Sequence, residues 1–581
     1  MSSDGLTPAS KIQIEIGLGV PMRDGAVLRA DVFRASDDIR RPVILIRTPY
    51  GRQTRTHTDP GWALDVHEAA RAGYAVVVQD TRGAFASEGH FSVFVSDADD
   101  GEDTIAWAAR QPWSDGRVGM VGVSYLGLTQ MLAAMRTPPA LRAVVPGITG
   151  SECYDGWAYQ GGAFNLGLSL SWGAGLAEAA LRRREAEGED IADDMARLAA
   201  LRANPCDGLK RLPLVALPTE ISALEEYGEW LAHPDRDSYW QETAINDRYD
   251  QIVTPGLHIA GLFDCFLKGT LENYVGLRRN AGTEHARENQ RLIIVPWGHA
   301  DWPNEVVGDL WLGPMASSAA PDLPQRTLEW MNAFLKGEPI DKQPRVSVFV
   351  MGTNDWREAL DWPLPHAVQT PYFLRAGGNL SRSLPGDERP DEFVYDPSHP
   401  VPTVGGNTRI SMGGLLQRMG PRDRREVEER DDVLTYTSQE LDEDVEVIGP
   451  VSATLFVSSS ALDTDFTAAL IDVYPDGRAI GLADGILRLR YRDGLATPEP
   501  LVPGLVYEVE IDLVAVANVF KAGHRIRVEI SSSNFPRFDR NPNTGGINAQ
   551  ASNGDLRKAD QKVFHDTDHA SHVSLPLVAV R

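Results

Sequence analysis

Residues 119–127, GMVGVSYLG, constrain the fold of this chain more than any other segment. The run MVGV is typical of the end of a buried β-strand, and the residues that follow Ser124 are typical of a helix. A serine at such a sharp strand-to-helix turn, called a nucleophile elbow, presents its hydroxyl for attack. The usual pattern is G-x-S-x-G, whereas here the second glycine, Gly127, comes one position late. The motif predicts a serine nucleophile if an acid and a histidine also lie at strand ends.

Short apolar runs alternate with helical segments over the first 150 residues. The helical segment 99–112 has acidic residues in its first turn and a proline at its end, as α-helices often do. Such alternation predicts a parallel sheet that helices cover on both faces. The predicted strands are RPVILIRTPY, YAVVVQDTRG, RVGMVGV and ALRAVVPG.

The chain divides into three regions of different character, which is in line with its 581 residues. We expect a discontinuous α/β catalytic domain over 1–150 and 248–345. Residues 151–247 are rich in Ala, Leu, Glu and Arg and predict a helical cap inserted into that domain. Residues 346–581 show a period-two alternation between turns, which predicts a C-terminal all-β domain, a β-sandwich or jelly roll.

The composition of the chain excludes some classes of binding partner. The formal net charge is −26, so a phosphate backbone is repelled and no nucleic-acid partner is expected. No stretch approaches the ~20 apolar residues of a membrane span, and the polar N-terminus lacks the apolar core of a signal peptide. Three scattered cysteines do not form a disulfide framework. We expect a cytoplasmic protein that does not bind membranes.

Two further strand ends carry the missing catalytic groups. The run TPGLHIAGLF ends at Asp264, and the run RLIIVPWG ends at His299. The chain order Ser124, Asp264, His299 is the one that α/β-hydrolases use. Since the carboxyl ends of parallel strands share one edge, these residues are expected to meet there.

The three side chains have complementary roles in this interpretation. His299 takes the proton of Ser124 as general base, and Asp264 fixes the imidazole tautomer and stabilises the imidazolium. The oxyanion of the tetrahedral intermediate needs two donors. The backbone N–H of Tyr125 can supply one, and the phenol of Tyr50, which follows the strand VILI, can supply the other.

Several segments along the chain form a combination that is typical of one enzyme family. They include RTPY at 47–50, DTRG at 80–83, GVSYLG at 122–127, GLFD at 261–264, PWGH at 296–299 and SSSNFPRFDRNPNTGG at 531–546. With these segments the sequence resembles the bacterial cocaine esterase family, related to Xaa-Pro dipeptidyl-peptidases, glutaryl-cephalosporanic acid acylases and α-amino acid ester hydrolases. The resemblance covers essentially the whole chain and explains the late glycine. It implies an α/β-hydrolase domain with an inserted helical cap, followed by a C-terminal jelly roll, and it implies that Tyr50 is the oxyanion tyrosine.

The resemblance also implies a substrate pocket. Trp157, Trp172 and Phe266 match positions that surround an aromatic acyl group, and large flat side chains suit such a group. The alternative is that both tryptophans only pack the cap. Arg409 stands where the family has an aliphatic residue. Because Cys265 and Phe266 follow Asp264 instead of acidic residues, recognition of a free α-amino group is not expected.

These observations predict a serine hydrolase that cleaves small-molecule carboxylic esters through an acyl-enzyme and uses no cofactor and no metal. An acylase or dipeptidyl-peptidase that cleaves amides is the alternative on the same fold. A β-sandwich binding protein with an inactive hydrolase domain and a carbohydrate-binding jelly roll are two further alternatives. Members of the family often self-associate, which leaves a homodimer open.

Overall fold

The computed structural model describes residues 11–54, 64–299, 304–341, 344–412, 415–416 and 419–579. The expectation about the N-terminus therefore rests largely on residues outside this part.

The chain up to residue 147 alternates strands and helices, as the sequence predicts. It also contains an initial antiparallel pair, β1 and β2, which the alternation does not reveal. The elements are β1 Ile12–Pro21, β2 Val27–Ala35, β3 Arg41–Thr48, α1 Val66–Arg71, β4 Ala75–Asp80, α2 Asp97–Ala109, β5 Ser114–Val123, α3 Tyr125–Met135 and β6 Leu141–Gly147.

Helices dominate the next hundred residues, where the sequence predicts a cap. After a small hairpin, the longest helix of this region has 21 residues, and later helices pack against it. The elements are β7 Tyr159–Gln160, β8 Ala163–Phe164, α4 Leu166–Ala186, α5 Ala192–Ala203, α6 Pro205–Lys210, α7 Ala216–Glu220, α8 Glu225–Ala232 and α9 Ser238–Gln241.

The chain then returns to the first sheet. The elements are β9 Gly256–Phe263, α10 Leu267–Asn280, α11 Glu284–Glu288, β10 Gln290–Gly298, β11 Val306–Val307, β12 Leu310–Trp311, α12 Leu323–Met331, β13 Val346–Val350 and β14 Asp355–Ala359.

Ten strands form this sheet, in the order β1-β2-β4-β3-β5-β6-β9-β10-β13-β14. In this order, each strand from β4 to β13 pairs in parallel with the next strand of the sheet, which confirms the prediction of a parallel sheet. Strands β9 and β10 are buried along their whole length, as is typical of a parallel sheet that is covered on both faces.

The remaining chain is rich in β-structure. Its elements are β15 Val368–Arg375, β16 Asn379–Ser381, β17 Asp391–Tyr395, β18 Ser411–Met412, β19 Leu415–Leu416, α13 Arg425–Glu428, β20 Leu434–Thr437, β21 Val445–Ser459, β22 Asp465–Val473, β23 Ala479–Arg488, β24 Tyr507–Phe520, β25 Arg525–Ser531, β26 Ala559–Phe564 and β27 His572–Val578. An eleven-stranded sheet contains all of these strands except the hairpin β18–β19.

The change of sheet does not coincide with the boundary that the sequence suggests at residue 346. Strand β13 pairs with β10, and β14 pairs with β13, so the first sheet extends to Ala359. The second sheet begins at Val368. The domain limits, and the jelly-roll topology of the second sheet, stay predictions.

Within the described residues, no helix combines the length and apolar character needed to cross a bilayer.

Candidate active site

The turn between β5 and α3 has the geometry of a nucleophile elbow. Ser124 has φ 59° and ψ −124°, a conformation that costs energy in any residue other than glycine. At Gly122, which has φ +155°, a Cβ atom would lie 2.5 Å from the Cβ of Leu126. At Gly127 a Cβ atom would lie 2.7 Å from that of Thr149. Leu126 therefore fits beside Gly122, and the late glycine permits close packing of α3.

The predicted acid and base lie side by side. Nδ1 of His299, directly after β10, is 2.8 Å from Oδ2 of Asp264, directly after β9. The other carboxylate oxygen accepts a hydrogen bond from the backbone N–H of Phe266 at 2.7 Å. Asp264 is fully buried. A carboxylate held in this way can fix the tautomer of the imidazole, with Nε2 left to exchange a proton.

Sheet order accounts for the position of Ser124 relative to this pair. Strand β5 is separated from β9 only by β6, and β10 follows β9. All these neighbours are parallel, so Ser124, Asp264 and His299 lie at the carboxyl edge of one sheet, where open α/β folds bind ligands. Their catalytic roles stay a prediction.

The two residues that are predicted to supply the oxyanion donors lie beside each other. Tyr125 is the first residue of α3, so its N–H is among the donors that have no acceptor within the helix. The ring centroids of Tyr50 and Tyr125 are 6.2 Å apart at 71°. Burial raises the pKa of the Tyr50 phenol, while the charge of Arg409 acts in the opposite direction. The phenol therefore keeps its proton at neutral pH and can donate it in a hydrogen bond.

A buried network fixes the side chain of Tyr125. Its hydroxyl donates to Oδ2 of Asp97 at 2.7 Å, and Oδ1 of Asp97 is 2.9 Å from Nη1 of the fully buried Arg47. The sequence alone does not reveal this network, because Arg47 and Asp97 lie 50 residues apart. The network holds the first residue of α3, and with it the candidate oxyanion donor.

Aromatic side chains line one side of His299. The rings of Phe266 and His299 are 5.1 Å apart and nearly perpendicular, and Trp157 stacks on Phe266 at 4.0 Å. Trp172 lies 5.5 Å from Trp157. The structure therefore brings together the three predicted substrate-binding residues. All three are largely buried, so packing of the cap, the alternative explanation, also fits their positions.

Two further aromatic residues belong to this group. Phe94 stacks on Tyr125 at 4.1 Å, and Trp230 of α8 stacks on Trp172 at 5.4 Å. Their sequence contexts hold no motif. The backbone of Phe94 has φ 64°, which shows that its position is enforced by its surroundings.

The segment after residue 405 contacts the catalytic acid. Nδ2 of Asn407 donates to the carbonyl oxygens of Leu262 at 3.0 Å and Asp264 at 2.9 Å. Asn407 lies two residues before Arg409, and only the folded structure brings it to Asp264.

Cys265 lies next to the pair of acid and base. Its Sγ and the ligand atoms of Asp264 and His299 lie within 4.8 Å of one another. Burial raises the pKa of Cys265 well above its usual range, so the thiol stays protonated and is a poor metal ligand.

Comparisons with known proteins show the family to which this chain belongs. Residues 24–301 match the family model of the X-Pro dipeptidyl-peptidase (S15 family). Residues 339–574 match that of the X-Pro dipeptidyl-peptidase C-terminal non-catalytic domain. The cocaine esterase of Rhodococcus sp. (strain MB1 Bresler) is 39% identical over 579 residues, which covers 96% of this chain and 97% of that protein.

Two solved structures resemble the whole chain. An aminopeptidase from a marine sediment archaeon, Thaumarchaeota archaeon, has a TM-score of 0.83 and 27% identity, covering 100% of this chain and 99% of its own. An α-amino acid ester hydrolase has a TM-score of 0.79 and 26% identity, covering 100% and 98%. The α/β-hydrolase fold with a β-rich C-terminal domain is confirmed. With 39% identity to an esterase over nearly its full length, the chain belongs to the cocaine esterase family of serine hydrolases.

Proposed function

We propose that this protein hydrolyses small-molecule carboxylic esters through an acyl-enzyme on Ser124. The observation that carries the proposal is the hydrogen-bonded pair of His299 and Asp264, 2.8 Å apart at the sheet edge that also holds the strained Ser124. Strain in a non-glycine residue at a strand-to-helix turn is typical of a nucleophile that must be held in one orientation.

The first half of the reaction forms the acyl-enzyme. Oγ of Ser124 attacks the carbonyl carbon of the ester while Nε2 of His299 takes its proton, and Asp264 stabilises the imidazolium. The carbonyl oxygen becomes an oxyanion that accepts hydrogen bonds from the N–H of Tyr125 and the phenol of Tyr50. When the intermediate collapses, the alcohol leaves with the proton from His299.

The second half releases the acid. A water molecule gives a proton to His299 and attacks the acyl carbon, the same donors stabilise the second oxyanion, and Ser124 leaves with the proton returned from His299. Every proton is carried by a side chain already named. The aromatic side chains of Trp157, Trp172 and Phe266 provide the apolar surface for the acyl group.

Hydrolysis of p-nitrophenyl benzoate and p-nitrophenyl butyrate tests both parts of the proposal. We expect turnover of both esters, a preference for benzoate because of the aromatic surface, and covalent labelling by a fluorophosphonate probe. Ser124→Ala should lose both turnover and labelling while its circular dichroism spectrum stays unchanged. Turnover by a folded Ser124→Ala protein would rule out this nucleophile, and a preference for butyrate would assign the aromatics to cap packing.

Cleavage of amides is the second candidate function. It is favoured by the match of residues 24–301 to a dipeptidyl-peptidase family model. The benzoyl anilide that corresponds to the ester distinguishes the two functions. Turnover of the anilide at a rate similar to that of the ester would make an amidase the better description.

A further inference from the structure

Arg409 lies in a segment that crosses from the catalytic acid to the cap. Two residues before it, Asn407 bonds the carbonyl oxygen of Asp264 at 2.9 Å. Two residues after it, the N–H of Ser411 donates to Oγ of Ser171 at 3.3 Å. Ser171 precedes Trp172 on α4. The backbone of Arg409 therefore lies between the loop that holds Asp264 and the helix that carries Trp172.

The charge of Arg409 acts on both sides of the candidate active site. It lowers the pKa of the Tyr50 phenol, against the larger opposite effect of burial. It acts in the same direction on Cys265, the residue after Asp264, again against burial. Tyr50 follows β3 and Cys265 follows β9. The backbone contacts of Asn407 and Ser411 place the segment of Arg409 beside the loop at Asp264, and the influence of its charge on both residues is in line with that position.

This guanidinium has no carboxylate partner among the described residues. Its Nε is buried without a hydrogen-bond partner there, and the residue is half-buried. Other arginines of the same region are paired: Arg424 with Glu529 at 2.7 Å, Arg488 with Asp465 at 2.9 Å and Arg537 with Asp484 at 2.7 Å. A partly buried charge is costly unless an anion compensates it.

The carboxylate of Asp264, whose backbone carbonyl oxygen bonds Asn407, already has partners for both of its oxygens. Its Oδ2 binds His299 and its Oδ1 accepts from the N–H of Phe266. A carboxylate of the substrate would compensate this charge where no described residue does. A guanidinium suits a carboxylate, because it can donate two parallel hydrogen bonds. With a net charge of −26 on the chain, a local positive charge also offsets the general repulsion of anions.

We propose that Arg409 is a specificity-determining residue that binds a carboxylate group of the substrate, so that the preferred substrates are anionic esters. The proposal rests on the ester hydrolysis proposed above and names its substrate class. The carboxylate can belong to the acid part, as in a half-ester of a dicarboxylic acid, or to the alcohol part, as in an ester of a hydroxy acid. The same charge disfavours esters that carry an ammonium group.

Two matched pairs of esters test the proposal and distinguish the two sources of the carboxylate. Monoethyl glutarate is compared with ethyl glutaramate, in which a neutral amide replaces the acid-side carboxylate. Butyryl glycolate is compared with butyryl glycolamide for the alcohol side. We expect a kcat/KM ratio of carboxylate to amide of about ten or more in one pair, and a ratio near one in that pair for Arg409→Gln. Arg409→Lys keeps the charge but loses the two parallel hydrogen-bond donors of the guanidinium. Its ratio should therefore lie between those of the wild type and of Arg409→Gln.

Arg389→Gln is the matched control, because Arg389 is exposed and its loss changes the net charge equally. It should leave the ratio as in the wild type. A wild-type ratio near one in both pairs would overturn the proposal. So would an equal loss on both members of a pair in Arg409→Gln, since that would assign Arg409 to the oxyanion or to the fold.

Calorimetric titration with glutarate separates this proposal from the proposed function. If the protein turns over no ester, the proposed ester hydrolysis is wrong, but the binding of glutarate still tests whether Arg409 binds a carboxylate. We expect glutarate to bind the wild type roughly tenfold more tightly than Arg409→Gln. Equal binding by both proteins, or no binding by the wild type, would exclude an acid-side carboxylate as the group that Arg409 binds, and the butyryl glycolate pair then decides the alcohol side.

Discussion

At the scale of single residues, the elbow shows how local sterics permit a departure from the usual motif. Leu126 occupies the position of the second glycine because Gly122 has no Cβ atom to contact it. The backbone of Ser124 stays in its costly conformation, with φ 59°, because strand β5 and helix α3 fix both of its ends.

The phenol of Tyr50 gives the prediction at this scale. Tyr50→Phe removes one of the two proposed oxyanion donors, so kcat for p-nitrophenyl benzoate should fall on the order of 10²–10³-fold. Steady-state kinetics measure this loss. Tyr372→Phe, in β15, removes a hydroxyl far from the site and should have no effect. An increase confined to KM would reassign Tyr50 to substrate binding.

At the scale of elements, helix α8 of the cap is docked onto the loop that carries Phe94. Oε1 of Glu226 accepts a hydrogen bond from the N–H of Val93 at 2.9 Å. Burial raises the pKa of Glu226 to about 7. Because the pKa of an unfolded glutamate is about 4.3, the folded protein binds more protons than the unfolded chain between these values. The contribution of Glu226 to stability is therefore full below about pH 4.3 and is lost as pH rises towards 7.

Glu226→Gln should remove this loss of stability at higher pH. The amide oxygen of Gln can still accept a hydrogen bond from the N–H of Val93, but the side chain does not ionise. Between pH 5 and 8 the free energy of unfolding of the wild type should fall by up to about 3 kcal/mol relative to the variant. Urea unfolding at the two pH values measures the difference. Glu185→Gln, at an exposed position of α4, should follow the wild type. A parallel pH profile in Glu226→Gln would show that Glu226 ionises normally.

At the scale of the whole molecule, the C-terminal region supports the catalytic part. Asn407 bonds two carbonyl oxygens of the loop at Asp264. Lys268, on α10, is 2.7 Å from Asp155, in the segment before α4, and 3.1 Å from Asp512 of β24. These contacts connect the first sheet, the cap and the second sheet, so the active-site loop depends on all three.

Asn407→Ala should both destabilise the protein and lower its rate of ester hydrolysis. The two buried carbonyls lose their partner, which costs about 1–3 kcal/mol in the free energy of unfolding. Displacement of Asp264 should lower kcat about tenfold with little change in KM. Asn379→Ala serves as control, because it removes an exposed amide that, among the described residues, bonds only the carbonyl oxygen of Ala376. If kcat per folded molecule stayed unchanged, Asn407 would have a purely structural role.

The sequence by itself determined where each proposed catalytic group lies along the chain. Ser124, Asp264 and His299 each follow an apolar run that forms a strand of the parallel sheet. Such runs and the turns after them are local features of a few residues, so they can be read without knowledge of the fold. Because parallel strands end at a common edge, local positions were enough to predict the shared site.

Only the tertiary structure decided what surrounds those groups. Asn407 is 143 residues from Asp264 in the chain, and Phe94 meets Tyr125 through stacking that no motif marks. Strands β13 and β14 join the first sheet although the sequence pattern assigns residues after 346 to the C-terminal domain. Side-chain contacts between distant segments depend on how whole elements pack, and alternation within a strand does not identify its partner. The isolation of Arg409 from any described carboxylate likewise becomes visible only once the chain is folded.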